Sequence, residues 1–200
     1  MILEDKADLK RRFEAAFQLM HRREFLENKL LGGGIPFFIM DYPIELDGEM
    51  QKEIAAFKRR LTAEGIRVLE VDLYDLCMLV IEEYSSIEKM KRLEDRRRGD
   101  RFIKAIQSTL DVRDRITPKI KREVEAFEPQ IILISGIAHI FPFLRANEIL
   151  NHLNTELSDI PTLIFYPGTY HNKQLTLFDR IEDSKYYRAY PINELKIAQR

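Results

Sequence analysis

The sequence predicts an α/β fold: an open, mostly parallel sheet of about five strands flanked by helices, with a helical insertion over about 72–127 and a C-terminal hairpin or edge strand. Three observations carry this. Short apolar-rich runs at 37–40, 66–71, 130–135 and 161–166 read as strands, and Phe37–Met40, bounded by prolines, suits a strand buried on both faces. Amphipathic helical stretches separate them, which is the pattern of parallel strands joined by crossovers. Hydrophobic residues make up 45% of 200 residues, enough for a core in a single domain spanning 1–200.

Taken in order, Leu9, Phe13, Ala16, Phe17 and Met20 fall on one face of a 3.6-residue period and predict a first helix that ends near Gly32–Gly34. "IPFFIMDYP" reads as a buried strand bounded by prolines. Leu46, Met50, Ile54, Phe57 and Leu61 form the stripe of the next helix, closed by Gly65, and "IRVLEVD" is the second strand. "LYDLCMLVIEEY" begins the insertion. A charged helical stretch runs from Ser85 to about Ser108, and Val112, Ile116, Ile120, Val124 and Phe127 mark a further helix stopped by Pro129. "QIILIS" is the third strand, "FLRANEILNHLNTEL" a helix and "PTLIFY" the fourth strand. Pro167-Gly168 predicts a turn, and "LTLF" with "YYRAYPI" predicts the hairpin or edge strand.

Composition excludes several classes. The net charge of −1 argues against a general nucleic-acid binder, and the single Cys77 excludes an internal disulfide or a multi-cysteine metal cage. "MILEDKADLKRR" has charges where a leader needs apolar residues, and no run approaches the ~18 apolar residues of a membrane span, so the expectation is a soluble, cytoplasmic protein.

In an open α/β sheet, ligands bind beyond the carboxyl ends of the strands. That directs attention to Asp41, Tyr42, Asp72 and Ser135, and to Tyr166-Pro167-Gly168. No Gly-Lys-Ser/Thr follows a strand, and "IILIS" ends in serine rather than a carboxylate, so no nucleotide motif is present. A P-loop-type sheet without that motif stays open. Asp41 and Asp72 could jointly hold magnesium in a phosphotransferase or nuclease, or each could cap the helix after its strand. "LISGIA" lacks the nucleophile elbow, and His139 would either approach Ser135 or pack structurally. Cys77 reads as core. Arg96, Arg97, Arg98 and Arg101, within the basic run Lys89–Lys104, form a candidate patch for an acidic partner or for phosphates, diluted by Glu94, Asp95 and Asp100. Tyr166, Tyr170, Tyr187 and Arg188 supply the residue types of interface hot spots, with no nucleophile beside them. Residues Leu163–Arg180 therefore begin as a core strand and continue as a partner-facing or fold-locking segment.

Blocks spread from about Glu24 to Ile192 resemble one family. "GGGIPFFIMDYP", "VLEVDLYDL", "ISGIAHIFPFLRANEILNHL", "IPTLIFYPGTY" and "LTLFDRIEDSKYYRAY" are similar, in order and spacing, to the BREX phage-defence protein BrxB. The resemblance implies a small non-enzymatic component without a cofactor, in a system that restricts phage while methylating host DNA. It implies docking to the alkaline-phosphatase-like partner PglZ, with the methyltransferase and the large ATPase elsewhere in the assembly and nucleic acid reached through the complex. The matching blocks land on Asp41, Tyr42, Pro142, Arg145, Tyr166, Pro167, Gly168, Tyr170, Tyr187 and Arg188.

Overall fold

The computed structural model describes residues 2–29, 36–85, 88, 99–183 and 189–195. Helix α1 (Ile2–Met20) and a short α2 (Arg23–Leu26) precede β1 (Phe37–Tyr42). Helix α3 (Asp47–Ala63) leads to β2 (Val68–Asp72). The insertion holds α4 (Leu73–Tyr84), α5 (Gly99–Thr109), a π-helical turn (Val112–Ile116) and α6 (Thr117–Phe127). Strand β3 (Ile131–Ser135), α7 (Ile137–Ile140), α8 (Ala146–Glu156) and β4 (Thr162–His171) follow, then β5 (Gln174–Leu177), β6 (Ile181–Asp183) and β7 (Tyr190–Pro191).

Five strands run parallel in the order β2-β3-β4-β1-β7, and β5 and β6 add antiparallel pairs to the outer end of β4. The mostly parallel sheet flanked by helices is the expected α/β class. Side chains alternate between two apolar layers. Phe38, Met40, Leu133, Leu163 and Phe165 face α1 and α3, while Ile39, Ile132, Ile134, Ile164 and Tyr166 face the helices α4 to α8. Burial on both faces explains the unbroken apolar runs.

The first helix ends with its apolar stripe, before the expected end near Gly32–Gly34. It stops at Met20, where His21 Nδ1 donates to the Phe17 carbonyl (2.7 Å) and Arg22 Nε to that of Gln18 (2.9 Å), so side chains satisfy the last turn. Gly32–Gly34 lie outside the described residues.

The expected turn at Pro167-Gly168 is not there. Strand β4 runs on to His171, and the reversal falls at Asn172-Lys173, both with positive φ. Up to Pro167, β4 pairs with β1; from Gly168 it pairs with β5. A Cβ on Gly168 would lie 2.1 Å from the Thr176 carbonyl oxygen, so glycine permits the close approach of the new partner. Among the described residues, "LTLF" and "YYRAYPI" do not pair with each other. The first joins β4 and β6, and the second supplies the parallel edge strand β7 beside β1. Among the described residues, no helix is long and apolar enough to cross a membrane.

Candidate functional site

The helix leaving β1 (α3) and those leaving β3 (α7, α8) pack on opposite faces of the sheet. That is the condition for a ligand crevice at the carboxyl ends of the strands. Side chains of this chain span it. Tyr42, at the end of β1, is buried and donates its hydroxyl to Asp47 Oδ1 (2.7 Å) in the first turn of α3. Asp47 Oδ2 lies 3.2 Å from Nε2 of His139 on α7, whose ring meets Tyr74 edge-on at 5.9 Å. Burial, then the hydrogen bond to the Asp47 carboxylate, pushes the Tyr42 phenol far above its ordinary range, which keeps it a donor.

Asp72 ends β2 and caps α4. Its Oδ1 accepts from the amides of Tyr74 (2.8 Å) and Asp75 (3.1 Å), and its Oδ2 accepts from the Ser135 hydroxyl (3.3 Å). Of the two roles the sequence leaves open for this residue, the geometry shows helix capping. Gly136, at φ +77°, is needed beside it, because a Cβ there would sit 2.4 Å from Asp72 Oδ1. Ser135 is 1% exposed and turned to Asp72, not to a reacting group.

Asp41 does not cap a helix. Its Oδ1 accepts from Arg12 Nη2 (2.6 Å) and its Oδ2 from the Tyr170 amide (2.9 Å). In the amide orientation that satisfies both groups, the Asn193 oxygen also accepts from Arg12 Nη2 (3.0 Å) and Nε (2.8 Å). Arg12 thereby joins the first helix, the end of β1 and the C-terminal turn. Asp41 and Asp72 do not converge on one cation. Strands β3 and β4 stand between β1 and β2, which at about 4.8 Å per strand places the two backbones roughly 14 Å apart. Among the described residues no group of three or more His, Cys, Asp or Glu is placed to hold a metal ion.

The expected partner surface is mostly interior. Tyr166 is fully buried, Pro167 and Gly168 are buried, and Tyr170 is 9% exposed with its hydroxyl donating to the Ala189 carbonyl (2.8 Å). Between partner-facing and fold-locking, the burial of these four residues favours fold-locking, because β4 continues into a hairpin with one side buried. Arg145 is exposed, at the start of α8. Tyr187, Arg188, Arg96, Arg97 and Arg98, and the side chain of Arg101, lie outside the described residues. Cys77 is buried on α4, and burial followed by the nearby Asp72 carboxylate pushes its thiol up to about 12. Sequence reasoning missed Arg12, Asp47 and Asn193. An acid in the first turn of a helix was a legible signal for Asp47; the pairing of Arg12 with Asp41, 29 positions apart, left none.

The fold and its strand ends define a doubly wound α/β protein whose usual ligand crevice is bridged by its own side chains. Comparison with known proteins then places it. The family model described as "BREX protein BrxB" matches residues 69–192, and the chain belongs to that family. It is similar to the BREX protein BrxB of Bacillus cereus (strain H3081.97), 29% identical over 170 residues that cover 84% of this chain and 88% of that protein. It is also similar to the BREX protein BrxB of Escherichia coli O9:H4 (strain HS), 23% identical over 166 residues, covering 83% and 82%. No solved structure matches the chain.

Proposed function

We propose that this chain is a non-catalytic adaptor of a BREX phage-defence system, acting in the cytoplasm as a single domain and docking the system's alkaline-phosphatase-like protein, PglZ. Family membership supports the BREX assignment. The observation that carries the adaptor reading is the state of the strand ends. Asp41, Tyr42, Asp72 and Ser135, the groups an α/β enzyme would offer a substrate, are engaged with Arg12, Asp47, the α4 amides and one another. Such groups hold a shape, and a stable shape is what a docking subunit contributes.

The test is co-expression with the alkaline-phosphatase-like protein of the same operon, co-purification, and mass measurement of the product. A complex of defined stoichiometry is expected. Absence of any complex at micromolar concentrations sinks the reading. Magnesium-dependent turnover of a nucleotide or nucleic acid, abolished by Asp72→Asn in a protein that still folds, would replace it with an enzymatic one.

A further inference from the structure

We draw no further inference here: the strongest candidate, the outward side of α4 with Tyr74, Leu79 and Tyr84 exposed along it, carries none because nothing in the structure shows what covers it.

Discussion

Asp41 and Asp72 show how the same residue type at equivalent strand ends takes different work from its neighbours. Asp72 precedes a helix directly and so meets free amides, whereas Asp41 is separated from α3 by Pro43 and a 3-10 turn and finds Arg12 and the Tyr170 amide instead. Gly136 is the residue on which the Asp72 cap depends. Gly136→Ala carries the left-handed penalty of about 1–2 kcal/mol per residue and adds a clash with Asp72, so urea denaturation should show a loss above that figure. Cys77 gives a second residue-scale expectation. With its thiol pushed up to about 12 and buried, it should react with Ellman's reagent only in the presence of denaturant; fast labelling of the native protein would contradict its placement.

At the scale of elements, α1 is held to the sheet by aromatic packing as well as by Arg12. The Phe13 ring stacks on Phe165 (5.6 Å) and meets Phe57 edge-on (5.4 Å), joining α1, β4 and α3. Phe13→Ala should cost about 3–5 kcal/mol in equilibrium unfolding, since the helix cannot collapse onto a sheet that other side chains keep in place. The edge strand β7 is secured differently, by one buried hydrogen bond from Tyr170 to Ala189 beside a two-residue pairing with β1. Tyr170→Phe should cost about 1 kcal/mol and increase amide exchange around Tyr190 while leaving the centre of β3 protected.

At the scale of the whole molecule, exposed ion pairs tie the helices of each layer. Hydrogen bonds from Arg60, Lys6, Lys119 and Lys121 hold the carboxyls of Glu14, Glu49, Glu83 and Glu156 below the ordinary range. The folded state thus binds protons less readily than the unfolded chain. Stability from these pairs is complete above the ordinary carboxyl range and is lost as pH falls through the lowered values. Glu14, Glu83 and Glu156 are exposed and Glu49 is half-buried, so the melting temperature should fall on acidification by an amount that shrinks in high salt. A melting temperature that rose between neutral and acidic pH would reverse the sign expected from these pairs.

What the sequence alone determined was local and periodic. The apolar runs of β1, β3 and β4 pointed to buried strands, the run of β2 to a further strand, and the stripes of α1, α3 and α6 to helices, because hydrophobic spacing is a property of consecutive residues. The family resemblance was legible for a similar reason, in ordered blocks of sequence. Tertiary structure alone decided the rest. The order β2-β3-β4-β1-β7 separates Asp41 from Asp72, and no local signal encodes which strands become neighbours. The passage of β4 beyond Pro167 depends on β5 arriving to pair with it, so the turn expected from Pro-Gly gave way to a strand. The engagement of Asp41 with Arg12, of Asp47 with His139 and of Tyr170 with Ala189 turned a crevice and a presumed surface into fixed parts of the fold, since these contacts exist only once distant segments are brought together by the core.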